Sequence, residues 1–253
     1  MKKLLIVKTG TIFPAVAGQY GDFEGMIIRN AGIAPEDVIV AENLASLPDL
    51  KEIAAIIITG SHAMATDCGE WALQLMDWLR EIRHKRIPTL GICYGHQLIA
   101  QAFGGTVAAH PHGTEIGTTE IELTEEGSQN RLLAILPDTF HAHVAHSQTV
   151  LTLPEDARNL ASNAFEPHHA FAIDNHIWGV QFHPEFSADI IRAYIDQQKE
   201  ELLAEGQSIE ALQQNVADYP FGAWLLEHFL TISELPAAGS SQGWTLFSNV
   251  DSL

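Results

Sequence analysis

Pro88-Thr89-Leu90-Gly91-Ile92-Cys93-Tyr94-Gly95-His96-Gln97 places a nucleophile between a short apolar run and the first turn of a helical pattern. The run 88–92 is bounded by a proline and contains a glycine, which suits a buried strand, and 96–103 carries apolar residues at helical spacing. Cys93 therefore stands where strand gives way to helix. Gly91 and Gly95 flank it in a Gly-x-Cys-x-Gly pattern. A turn this tight needs residues without a Cβ where strand and helix nearly collide, and it pushes the intervening side chain out of the sheet. At the head of a helix, backbone N–H groups and the positive dipole end favour a thiolate over a thiol. The opposing reading is a buried cysteine acting as a small apolar residue.

A cysteine nucleophile needs a base, and the base needs a third group to orient it. The strand-like run 178–182 leads directly into His183-Pro184-Glu185, which offers both. The intervening proline fixes a backbone torsion, so the pair projects from a stiff strand end.

Together the elbow Gly91 to Gln97 and the tripeptide His183-Pro184-Glu185 resemble the class I glutamine amidotransferases. From about residue 4 to about 195 the chain is most similar to stand-alone proteins related to the glutaminase half of GMP synthase. The likeness lies in Ile58-Thr59-Gly60-Ser61-His62, Glu115-Ile116-Gly117 and Gly179-Val180-Gln181-Phe182-His183-Pro184-Glu185-Phe186. It implies an α/β, flavodoxin-like open sheet, mostly parallel, with helices on both faces, a smaller antiparallel sheet and a C-terminal helical extension.

For the site, the resemblance implies a Cys93-His183-Glu185 triad and an oxyanion hole from the backbone N–H groups of Ser61 and Tyr94. Substrate contacts would come from Gly60, Gln97, His146, Ser147 and Gln148. Many members of the family have glycine where this chain has Ser61, and Gly-Asp where it has Ser147-Gln148. The expected reaction is thiol-dependent hydrolysis of the γ-glutamyl amide of glutamine, or of a related γ-glutamyl compound, through a thioester and without a cofactor. A γ-glutamyl peptidase without ammonia transfer, and a non-catalytic regulatory protein that keeps the fold, are the alternatives. The chain has no Gly-x-x-x-x-Gly-Lys-Ser/Thr loop and no Ser-Gly-Gly-x-Asp-Ser loop, so a synthase activity would need a separate synthetase or acceptor subunit.

The 253 residues suffice for one large α/β domain, expected over 1–204, with 205–253 as an extension and tail. A formal net charge of -19 with 13 Lys and Arg argues against nucleic-acid binding, which rests on clustered cations. Two cysteines are too few for a disulfide framework, and a working thiolate fits a reducing, cytoplasmic setting. The apolar run 4–7 is cut off at Lys8 and is read as a first strand, and no run is long enough to span a bilayer.

Strands are expected at 4–7, 38–41, 54–58, 107–109, 116–123, 140–146, 150–153, 159–163, 170–174 and 177–181. Helices are expected at 23–31, 70–83, 129–136, 188–204, 209–216 and 223–232, with Ser187 and Ser208 as N-caps. The stretch 9–21 is read as a long loop near the site, and the region from 107 as the smaller antiparallel sheet. Cys68, beside Asp67 and Glu70, is read as incidental. His141-Ala142-His143-Val144-Ala145-His146 has the alternation of a metal-binding strand but no adjacent carboxylate, so no metal is expected there. His168 and His169 are expected at the surface. The segment 234–253 is open between a tail and a docked strand.

Overall fold

The computed structural model describes residues 2–42, 44–67 and 69–236. The readings made for Cys68 and for nearly all of 234–253 lie outside these residues.

The apolar β-branched run at the start of the chain forms strand β1 (Lys3–Val7), from which helix α2 (Phe23–Ala31) leads to β2 (Val38–Ala41). Gly32 ends α2 in the left-handed conformation, with φ 61. β3 (Ile53–Ile58), helix α3 (Glu70–Ile82), β4 (Thr89–Ile92) and helix α4 (Tyr94–Ala102) follow. After them come β5 (Thr106–Ala109), β6 (Glu115–Leu123), α5 (Glu125–Ser128), β7 (Thr139–His146) and β8 (Gln148–Thr152). β9 (Arg158–Ser162), β10 (Ala170–Ile173) and β11 (Ile177–Val180) complete the strands.

The main sheet has the order β2-β1-β3-β4-β11-β10-β9-β6-β7. Its first five strands run parallel, and the remaining four extend it antiparallel. The smaller sheet is the antiparallel pair β5 and β8, so 107–109 belongs to it as expected, whereas 116–123 and 140–146 join the main sheet. One face of the main sheet is covered by α3 and α4, with Leu75, Leu79, Leu98 and Ile99 packed on Ile56 and Ile58. The opposite face buries Leu4, Ile57 and Trp178 against α2 and the C-terminal α9 (Phe221–Ile232), through Ile27, Leu226 and Phe229.

Three elements depart from the sequence reading. Within 9–21 a helix forms, α1 (Pro14–Tyr20), with Pro14 at its first position, where a missing N–H and a fixed φ cost nothing. The stretch 129–136 is a run of turns after α5 rather than a helix. There Asn130 Oδ1 accepts from Leu132 N–H at 2.9 Å and from the Trp178 indole at 3.0 Å, side-chain bonding that competes with a helix. The helix expected over 188–204 is split at Gln198 into α6 (Ala188–Gln197) and α7 (Lys199–Ala204). α8 (Ile209–Asn215) starts at Ser208, whose hydroxyl caps Ala211 N–H.

Candidate active site

In the sheet order β4 lies between β3 and β11, with Gly91 opposite Ile58 on one side and Ile92 opposite Val180 on the other. Because these strands run parallel, the residues after their carboxyl ends emerge side by side: Ser61 from β3, Cys93 from β4, His183 from β11. Open α/β sheets place ligand sites at this edge, beside the point where strand order reverses.

Cys93 is the N-cap of α4 and is held at φ 50, ψ -99. The turn is closed by contacts that no side chain could share: a Cβ at Gly91 would lie 2.4 Å from the Gly95 carbonyl oxygen, and one at Gly95 2.5 Å from that of Ile58. Cys93 is 6% exposed, with the Ala145 carbonyl 3.9 Å from Sγ.

His183 Nδ1 lies 2.8 Å from Glu185 Oε1, both side chains being buried. The bond turns the other ring nitrogen away from the carboxylate. Phe186 stacks on the imidazole at 4.1 Å, and the His183 N–H donates to the His143 carbonyl, so ring and backbone are both fixed. Burial alone would push His183 down, but the Glu185 carboxylate and Cys93 outweigh it and raise the imidazole to about 10. Such a pairing favours the imidazolium form of the ring.

Above the sheet edge is a cavity of about 440 Å³, lined by Cys93, Ser61, Gln97, His146, Ser147 and Gln148 among the residues expected at a site. His183 borders a separate cavity of about 200 Å³, together with His141, His143 and Asp218. Gly60 and Glu185 line neither; Gly60 leaves room for His183, since a Cβ there would sit 3.0 Å from Cε1. Tyr94 is the first residue of α4, next to the thiol. Gln97 Nε2 donates to the Gln148 carbonyl and to Gln181 Oε1 at 3.1 and 3.0 Å. The Gln148 side chain is engaged by the loop after β3, accepting from Ala65 N–H at 2.7 Å and donating to Thr66 Oγ1 at 2.7 Å. It braces the loop that carries Ser61.

The sequence reading did not pick out the far wall, made by Phe13, His62 and Tyr194. His62 Nε2 lies 3.1 Å from the Tyr194 hydroxyl, and Phe13 lies against the imidazole at 4.0 Å. Burial and the neighbouring His183 push His62 down, and burial pushes the Tyr194 phenol up, so both are neutral. The Phe13-Pro14 pair, as a helix start, was the available signal. Thr114, Gln198, Glu201 and Glu205 also line the cavity.

The three histidines of 141–146 do not converge. His141 stacks on Tyr219 at 4.5 Å, His143 Nδ1 meets Thr118 Oγ1 at 3.1 Å and is pushed by burial to about 4, and His146 pairs with Glu115. His169, expected at the surface, is fully buried, because the loop before β10 is drawn in against the chain after β11, the Gln181 N–H donating to the His169 carbonyl.

The family model described as glutamine amidotransferase class-I matches residues 19–198. Gamma-glutamyl peptidase 4 of Arabidopsis thaliana is 31% identical over 192 residues, covering 72% of this chain and 75% of that protein. A GMP synthase (glutamine-hydrolyzing) of Aeropyrum pernix is 32% identical over 177 residues, 70% of this chain but 33% of that enzyme. Among solved structures, a glutamine amidotransferase of Thermotoga maritima superposes with a TM-score of 0.72 at 20% identity, covering 92% of this chain and 99% of that one, which establishes the shared fold.

Proposed function

Since the chain belongs to the class I glutamine amidotransferase family, we propose that it hydrolyses a γ-glutamyl amide through a thioester on Cys93. The observation that carries this is the buried 2.8 Å pair of His183 and Glu185, just past the end of the strand next to the one that presents Cys93. In the resting site the proton is on His183 and the thiolate on Cys93. The thiolate attacks the γ-carbonyl carbon, and the carbonyl electron pair moves to oxygen. The backbone N–H groups of Ser61 and Tyr94 stabilise that oxyanion, each donor contributing on the order of 3 kcal/mol. As the tetrahedral species collapses, the C–N bond breaks and the departing amine takes the proton from His183. His183, now neutral, removes a proton from water, which attacks the thioester; glutamate leaves and the imidazolium–thiolate pair returns. Glu185 orients the ring and balances its charge throughout.

The cavity is of the size of small-molecule sites (about 300–1,000 Å³), and besides Cys93 and Ser147 its lining includes Gln198 and Glu201. That space favours a substrate larger than glutamine, in agreement with the similarity to a γ-glutamyl peptidase. A glutaminase would instead pass its ammonia to a separate acceptor subunit, as the similarity to part of GMP synthase suggests.

The test is amine release from glutamine and from a panel of γ-glutamyl dipeptides, with the chain alone and with Cys93→Ala. We expect release from the dipeptides, reduced by on the order of 10⁴-fold or more in the variant. Turnover that survives the substitution would remove Cys93 from the mechanism. Cys93-dependent release from glutamine alone would favour the glutaminase. Silence on every substrate, with iodoacetamide labelling of Cys93 no faster than of an ordinary thiol, would favour a non-catalytic protein.

A further inference from the structure

Glu115 begins β6 and His146 ends β7, and the two residues face each other across the antiparallel ladder. His169, from the loop before β10, comes in from a third segment. One ligand atom from each of the three lies within 4.8 Å of the others, and all three residues sit in the interior. His146 Nε2 is 2.8 Å and His169 Nε2 3.4 Å from the same carboxylate oxygen, Glu115 Oε2. The side chains are 10%, 1% and 0% exposed in the order Glu115, His146, His169.

Hydrogen bonding in this cluster does not close by itself. His146 Nδ1 lies 3.1 Å from the Gln148 carbonyl, an acceptor only, so Nδ1 carries a proton and Nε2 is the ring atom that faces Glu115 Oε2, at 2.8 Å. Neither ring nitrogen of His169 makes a hydrogen bond among the described residues, although the residue is fully buried. A second buried carboxylate, Glu166, directs an unpartnered Oε2 at His146 Nδ1 from 4.0 Å. Among the described residues no lysine or arginine pairs with either carboxylate. Two buried carboxyl groups and two buried imidazoles thus gather their ligand atoms in one place, with the His169 ring nitrogens and Glu166 Oε2 left without hydrogen-bond partners.

We propose that Glu115, His146 and His169 bind a divalent transition-metal ion of the zinc type, through Oε2 and the two Nε2 atoms. Two imidazoles and one carboxylate suit that ion class and leave a further coordination position. The surroundings are those of metal ligands: His146 donates its other N–H to a backbone carbonyl, and Glu115 Oε1 accepts from Asn163 Nδ2 at 2.7 Å. Asn163 is itself fixed, its Oδ1 accepting from the Phe165 and Glu166 N–H groups at 2.9 and 2.6 Å. The ion would pin the meeting point of β6, β7 and the loop before β10, and so hold His146 to Gln148 as one wall of the cavity. The contiguous His141-to-His146 run lacks a carboxylate, but the fold supplies one from 31 residues upstream.

The test uses the full chain carrying Cys93→Ala, so that a thiolate–imidazole pair at Cys93 and His183 cannot take the metal. After chelator treatment and dialysis, zinc titration is expected to show one ion per chain with micromolar or tighter affinity, and zinc should raise the melting temperature. His169→Ala and Glu115→Gln should each weaken binding at least tenfold and abolish the thermal shift. Cobalt(II) in place of zinc should give visible d–d bands without a thiolate charge-transfer band. No stoichiometric uptake, affinity unchanged by His169→Ala, or a thiolate band would each overturn the proposal. Should His169→Ala not fold, His169→Gln gives the same comparison, and the cobalt spectrum needs no substitution in the cluster.

Discussion

Cys93 has φ 50 and ψ -99, where a Cβ is strained by on the order of 1–3 kcal/mol. Cys93→Ala keeps that strain and Cys93→Gly releases it. The glycine variant should therefore be the more stable of the two by about 1 kcal/mol in urea unfolding, although it removes more atoms. The charge on His183 gives a second expectation. Its folded value, about 10, lies above the ordinary 6.5, so its contribution to stability is fully present below pH 6.5 and is lost as pH rises toward 10. Unfolding midpoints measured between those limits should fall with pH, and fall less in Glu185→Gln, which removes a carboxylate that holds the proton. The residues proposed as nucleophile, base and orienting group are legible in the sequence because each motif is contiguous and the proposed chemistry requires those residue types. Glu115, His146 and His169 are not legible as a group, since only the β6–β7 pairing and the inward loop before β10 bring them together.

Helices show where local signals suffice and where they do not. Gly32 ends α2 as its sequence suggests, and Ser208 caps α8 with its own hydroxyl. Ser187 occupies the N-cap position of α6 without a side-chain bond, and the N–H of Ala188 is taken by Asp218 Oδ1 at 2.8 Å. That acceptor comes from beyond α8, 30 residues away, so no local window of sequence could reveal it. Asp218→Ala should cost about 1 kcal/mol and Ser187→Ala only a few tenths, compared by urea unfolding of the two variants. The same reasoning explains 129–136, where the apolar spacing suits a helix but the indole of Trp178, from β11, claims the Asn130 side chain. Propensity proposes an element, and a partner from another part of the chain decides.

Across the whole molecule, the parallel half of the sheet follows from alternating strand and helix patterns, and the antiparallel half from short strands joined by turns. What the sequence does not reveal is that β6 and β7 continue the main sheet, since strand pairing over such separations leaves no local trace. α9 belongs to the same core as the strands it covers: Phe229 is fully buried and meets Trp178 edge-on at 6.2 Å. Phe229→Ala should cost about 3–5 kcal/mol, seen as a large fall in the denaturation midpoint. The place of β11 between β4 and β10 bears on how the protein is made. As the chain leaves the ribosome, residues up to 176 include Cys93 but neither His183 nor β11, the strand that pairs with β4. Until β11 arrives, β4 is an open edge, so an unfinished or prematurely terminated chain holds a bare thiol beside a strand free to pair with a neighbour. Under the proposed mechanism chemistry waits for residues 177–185, and the interval before they are made is when the nascent chain most needs to be kept from its copies.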